Sequence, residues 1–171
     1  MTTSLITKDY PLELSFDKAS RPAVKLIHHL FFCKPHTRED IARIDNWIKN
    51  LPNAYTECPY PLYQFLENGL YTREIHMRKG DLVCSRIHKH DYFIAVLKGI
   101  CWVINEYESR TVIAPCAFSI KGGAKNILFI LEDTVWIDTH TVTAKTKQDA
   151  ENEIFVESYA MLEGEKECLV G

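Results

Sequence analysis

The sequence lacks an excess of either charge: 20 lysines and arginines stand against 23 aspartates and glutamates, a formal net charge of −3 over 171 residues. A broad phosphate-binding surface needs a clustered positive field, so nucleic acid is not the expected partner. No apolar run approaches the ~20 residues that a membrane-spanning helix requires, and no membrane partner is expected. The first residues show no succession of basic, apolar and small side chains of the kind a secretory leader carries. None of the six cysteines (Cys33, Cys58, Cys84, Cys101, Cys116, Cys168) stands in a Cys-x-x-Cys pair. Reduced, mostly buried thiols in a cytoplasmic protein are expected, not a disulfide framework. Walker-type and dinucleotide-binding glycine loops are missing, as is the Gly-x-Ser-x-Gly nucleophile elbow. Internal repeats and low-complexity tracts are missing too.

What is present suffices for one domain with extensions. Hydrophobic residues make up 46% and charged residues 25%, the balance of a globular chain. Residues 1–60 read as an N-terminal arm and helix, with an apolar cluster at Leu26, Ile27, Leu30, Phe31 and Phe32 that fits a short helix or an edge strand. His28 and His29 within it read as packing or surface residues. Thr37 followed by Glu39 and Asp40 resembles a capping box. Ile41, Ile44, Trp47, Ile48 and Leu51 then recur at helical spacing, predicting an amphipathic helix over 38–51 with Trp47 as an anchor in its contact.

From Leu70 the texture turns to strands. Leu70–Arg78, Leu82–His88, Tyr92–Leu97, Ile100–Asn105, Arg110–Ala114, Ala117–Ile120, Asn126–Leu131 and Thr134–Thr143 are short, rich in β-branched and aromatic residues, and mostly separated by turn residues. That pattern predicts a sandwich or small barrel, within residues 61–144. Residues 145–171 form a C-terminal extension in which Ile154, Phe155, Tyr159 and Leu162 are spaced for a short helix.

The chemistry gathers around the stretch from Gly80 to Gly99. His88 and His90, two residues apart in an alternating run, project from one face of the expected strand. Glu74 and His76 share a face of the neighbouring strand, and Trp136, Asp138 and His140 share one on the last. In a closed barrel such alternate residues line the interior. Two readings follow. In one, His88, His90 and His140 ligate Zn, Fe, Mn or Ni. In the other, the histidines line a metal-free pocket, or are satisfied interior residues, and Tyr92, Asn126, Trp136 and His76 contact a polar ring or sugar. Trp136 also suits a plain core position. Glu74 is a candidate general base, or an outward salt-bridge partner of Arg73 or Arg78. Lys121 and Lys125, in a Lys-Gly-Gly-Ala-Lys turn, are placed to guide an anionic ligand to the barrel mouth.

The Gly…His88-x-His90…Gly99 block resembles the first motif of the cupin superfamily, and Ile120-Lys-Gly-Gly123-Ala-Lys-Asn126 is similar to the turn of the second. A narrower resemblance is to small cupin-domain proteins of bacteriophages and prophages. It rests on Leu51-Pro-Asn53, Glu57-Cys-Pro59, Asn68-Gly-Leu-Tyr-Thr-Arg-Glu-Ile75, Ile87-His-Lys-His90, Ala114-Pro-Cys116 and Glu132-Asp-Thr-Val-Trp136, with His140 beyond. The chain departs from the pattern where ligands are expected: Tyr92 and Leu131 stand at histidines of the phage group, and Asn126 at a histidine of the second motif. The resemblance implies a mainly β, cupin-like double-stranded β-helix, or jelly-roll barrel, with an N-terminal arm, one amphipathic helix and a short C-terminal helix. It also implies a homodimer. Three functions are implied by it: a binder of a polar metabolite such as a nucleotide or sugar derivative, a metal-dependent isomerase, epimerase or dioxygenase using His88 and His90, or a virion or assembly accessory protein. If phage-encoded, the chain works in the host cytoplasm.

Overall fold

In the computed structural model the described residues are 28, 30–32, 35–51, 54–55 and 58–168; most of the expected N-terminal arm lies outside them. Asn68 and Gly69 both take left-handed backbone angles, φ 50° and 78°, the conformation a two-residue hairpin turn needs and an Asn-Gly pair supplies. The turn joins β1 (Leu62–Glu67) to β2 (Leu70–Met77), pairing Leu62 with Ile75 and Glu67 with Leu70. The sequence reading began its strands at Leu70 and missed β1, whose apolar residues point to both faces and hide the alternation.

Eight further strands follow: β3 (Leu82–Cys84), β4 (Ile87–His88), β5 (Tyr92–Lys98), β6 (Ile100–Ile104), β7 (Ser109–Ile113), β8 (Cys116–Ile120), β9 (Ile127–Ile130) and β10 (Thr134–Thr141). The pairing explains the architecture. β2 pairs β10, β3 pairs β9, β5 pairs β8 and β6 pairs β7, all antiparallel. Residues 70–141 are thus one long hairpin with its tip between β6 and β7. Rolled upon itself, the hairpin closes through two more contacts, β10 on β5 and β6 on β9. The result is two facing sheets, β1-β2-β10-β5-β8 and β3-β9-β6-β7. This is the double-stranded β-helix expected of a cupin-like jelly roll, mainly β with few short helices.

The core between the sheets is apolar: Ile94, Val96, Cys101, Val103, Val112, Leu128, Ile130 and Trp136 meet there. A second cluster lies on the outer face of the four-stranded sheet. There α1 (Arg38–Lys49) lays Ile41, Ile44 and Ile48 against Trp102, Ile104, Ile127 and Phe129, with Phe31 alongside. Residues 30–32 are helical, which decides between the two readings of that cluster where it is described. The expected capping box is formed: Thr37 Oγ1 accepts from the Asp40 N–H, and the Asp40 carboxylate accepts from the Thr37 N–H. Trp47 corrects the sequence reading; it faces solvent, 48% exposed, because the apolar stripe runs through the isoleucines. Lys125 also corrects it. Its ammonium is buried and donates to Asp45 of α1 at 2.5 Å, so it fastens the helix to the barrel and does not reach a ligand.

The C-terminal part differs from the single helix expected. α2 (Lys147–Ile154) is followed by a two-residue strand, β11 (Phe155–Val156), and then α3 (Tyr159–Cys168). β11 pairs with β4, Phe155 opposite His88 and Val156 opposite Ile87. The expected strand Leu82–His88 is accordingly broken, its first half in the four-stranded sheet and its second half paired with the C-terminal segment. Among the described residues Cys58, Cys84, Cys101 and Cys116 are free; Cys58 is exposed, whereas burial pushes the thiols of Cys84 and Cys101 up to about 12. No helix of the described residues is long and apolar enough to cross a membrane.

Candidate functional site

Register decides which residues meet inside. Across β2, β10 and β5, Trp136 stands beside Ile75 and Val96, Asp138 beside Arg73 and Ile94, and His140 beside Tyr71. The inward faces therefore pass from an apolar layer to a polar one as the barrel's end is approached. At that end three rings lie nearly parallel. His88 stacks on Tyr92 at 3.9 Å and 6°, and on His140 at 5.1 Å and 20°; Tyr92 and His140 are 4.9 Å apart. All three are buried. The Tyr92 hydroxyl accepts from Asn126 Nδ2 at 2.7 Å, and Asn126 Oδ1 accepts from Asn105 Nδ2 at 2.9 Å.

Several polar atoms of this cluster have no hydrogen-bond partner: His88 Nδ1, His140 Nε2, Asp138 Oδ1 and Arg73 Nε. His140 Nε2 lies 3.3 Å from Asp138 Oδ1 without hydrogen-bond alignment, and Arg73 Nη1 is 3.8 Å from the same carboxylate. Buried polar atoms are normally paired; here His140 and Asp138 face each other, while His88 Nδ1 and Arg73 Nε have no hydrogen-bond partner. Burial, reinforced by the positive charge that His140, Arg73 and Arg86 can present, holds the His88 imidazole well below its ordinary pKa. Burial likewise pushes the Tyr92 phenol far up. At neutral pH the stack is uncharged at His88 and Tyr92.

A pocket of about 260 Å³ adjoins the cluster at His140 and is lined by His90, Asp91, His140, Thr141, Glu153 and Ile154. His140 belongs to both, floor of the pocket and member of the stack. His90 does not project with His88. It lies past the end of β4, in an exposed turn, and reaches only the pocket's rim. The backbone of that turn packs against Gly122, where a Cβ would come within 2.7 Å of the His90 Cα.

Other sequence candidates fall elsewhere. Glu74 and His76 sit on the outward face of β2, hydrogen-bonded to each other at 2.6 Å, with His76 edge-on to Tyr63. Arg73, Ile75 and Met77 take the inward positions of that strand, so the parity expected for Glu74 and His76 is reversed. Trp136 is inward but belongs to the apolar core, edge-on to Phe118 at 5.8 Å. Lys121 is exposed and paired with Asp91 at 2.9 Å. Arg73 and Phe155 join the cluster without having been singled out. The inward parity of Arg73 with Ile75 and Met77 was a readable signal; nothing local announced that Phe155 would fold back over His88.

His88 and His140 bring two imidazoles to 5.1 Å between ring centroids. Among the described residues no three His, Cys, Asp or Glu side chains are gathered to hold an ion.

No protein-family model and no curated protein matches the chain. Solved structures do. KdgF from Halomonas sp. is 19% identical over 56% of this chain and 89% of its own, with a TM-score of 0.45. An RmlC-like cupin from Shewanella frigidimarina is 15% identical over 53% and 83%, TM-score 0.44. A double-stranded β-helix cupin from Methanocaldococcus jannaschii is 6% identical over 51% and 84%, TM-score 0.42. The site is therefore read from this chain's own residues.

Proposed function

We propose that the chain binds a small polar metabolite, of the nucleotide or sugar-derivative class, at the polar end of the barrel, entering by the pocket that His140 lines. The observation that carries this reading is the cluster of buried polar side chains Arg73, His88, Asp138 and His140, with His88 Nδ1 and Arg73 Nε lacking hydrogen bonds and His140 lining the neighbouring pocket. A polar ligand that hydrogen-bonds those two atoms removes the cost of leaving them unpaired, about 1–3 kcal/mol for each buried group. Thermal unfolding with a panel of nucleotides, nucleotide sugars and monosaccharides tests it. A ligand that stabilises the native chain should lose its effect in His140→Ala and keep it in His76→Ala on the outer face. Equal stabilisation of all three proteins overturns the reading.

A second reading is enzymatic, favoured by the Asp138–His140 pair. A ring that faces a buried carboxylate on one side and a pocket on the other has the arrangement of a general base held by an orienting acid. Proton transfer at a carbon or oxygen of the bound metabolite is the reaction class it suits, with no step assigned to a metal. Proton exchange of a bound ligand into deuterated water, lost in Asp138→Asn, is its signature.

The phage or prophage origin implied by the sequence blocks belongs to this proposal, and the host cytoplasm with it. So does the homodimer. The outer face of the five-stranded sheet exposes Tyr63, Phe65, Phe93 and Leu97, a patch suited to a second copy of the chain. A light-scattering mass equal to one chain overturns that part.

A further inference from the structure

The ring of Phe155 sits where an apolar cluster meets a group of cationic and imidazole side chains. It is buried, yet the Arg86 guanidinium lies 4.0 Å from its centroid and that of Arg73 4.9 Å. His88 meets it edge-on at 4.7 Å and His140 at 6.1 Å. The two guanidiniums hold the phenyl by cation–π attraction, and they and the two imidazoles also carry N–H donors that suit acceptor atoms on a flat ring. The phenyl has no such atoms. On these neighbouring side chains Arg73 Nε and His88 Nδ1 have no hydrogen-bond partner.

The segment that carries the ring also walls the pocket. Glu153 and Ile154, the two residues before Phe155, line it together with His140. Phe155 is held to the barrel by a two-residue ladder to β4 and by packing with Tyr71, Val142, Ala150 and Ile154. The anchors of the segment lie before it, where Glu151 accepts from Arg86 at 2.8 Å and Glu153 from the Thr143 N–H at 2.9 Å.

We infer that Phe155 fills an aromatic subsite in the free protein, and that the ligand brings its own planar ring, bearing oxygen or nitrogen acceptors, into the seat between Arg73, Arg86, His88 and His140. The inference rests on the reading that this end of the barrel takes a ligand, and narrows it to ring-containing anionic or acceptor-rich molecules. Saturated sugars alone are then the wrong class. On binding, β11 leaves β4 and the phenyl swings out.

Titration calorimetry of Phe155→Ala with 4-hydroxybenzoate as probe, and cyclohexanecarboxylate as its saturated counterpart, tests the seat. The aromatic acid should bind Phe155→Ala at least about ten-fold more tightly than it binds the native chain, and than the saturated acid binds the variant. Adding Arg73→Gln should cancel that gain. Equal affinity for the two acids, or indifference to Arg73→Gln, means a plain cavity and overturns the inference. Should Phe155→Ala fail to fold, amide exchange of the native chain decides. With 4-hydroxybenzoate the Phe155 and Val156 amides should exchange faster; unchanged or slower exchange overturns it. Loss of the aromatic preference while polar metabolites still stabilise the chain through His140 refutes the seat alone. Loss of both refutes the binding site as well.

Discussion

The imidazole of His88 lies flat on the phenol ring of Tyr92, 3.9 Å away and 6° from parallel. A protonated imidazolium there would be buried with no hydrogen-bonding anion on Nδ1, so the fold holds His88 neutral. Its folded pKa lies below the unfolded value of about 6.5, and the unfolded chain binds the proton more readily. The contribution of His88 to stability is complete above about pH 6.5 and is lost as pH falls from there toward the depressed folded value. Urea unfolding between neutral and acidic pH should show stability falling by up to about 1.4 kcal/mol per pH unit from this group. His88→Gln should flatten that slope. An unchanged slope in the variant contradicts the placement of His88.

Asp45 and Lys125 form a buried pair between α1 and the barrel. Burial acts against the Asp45 carboxylate, but hydrogen bonds from Lys125 and Lys49 outweigh it and hold its pKa below the ordinary value. Removing Lys125 leaves the buried carboxylate with Lys49 as its remaining cation, and Lys125→Met should cost about 1–3 kcal/mol in urea unfolding. Asp45→Asn combined with Lys125→Met should recover much of that loss. A cost within about 0.5 kcal/mol, typical of surface positions, contradicts the contact.

The facing of α1 is checked by a contrast. Ile44→Ala should cost about 2–5 kcal/mol, since Ile44 packs on the outer face of the four-stranded sheet. Trp47→Ala should stay within about 0.5 kcal/mol. The reverse order restores the anchor role that the sequence suggested for Trp47.

Gly122 couples the turn before β9 to the pocket rim. Gly122→Ala would press a methyl group onto the backbone at Lys89 and His90, at a cost of about 1–3 kcal/mol if overpacked like other tight sites. The ring resonances of His90 should shift in the variant, while those of His76, on the outer sheet face, stay put. Unmoved His90 signals contradict the contact.

The strands from β5 to β10 were legible because alternation, β-branched residues and turn signals agreed over short spans. The capping box made the start of α1 legible for the same local reason. Faces were harder. His88 and His90 look like one strand face in sequence, but the chain turns after His88 because β4 pairs with β11 and not with the main sheets. Glu74 and His76 were assigned inward because two titratable groups at one parity attract notice, whereas Ile75 and Met77 on the other parity carried the true burial signal. β1 was hidden by Tyr63 and Phe65, apolar residues that remain on the outer face. The place of Phe155 depends on a pairing across 67 residues of chain, from His88 to Phe155, which no local pattern encodes.

Native mass spectrometry of the untagged chain taken directly from cell extract, beside His88→Ala/His140→Ala, tests the central claim most directly. The native protein should carry a small organic adduct that resists chelator treatment and is absent from the double variant. An adduct of equal occupancy on both proteins, or one that disappears on chelation, contradicts a metal-free ligand site at the polar end of the barrel.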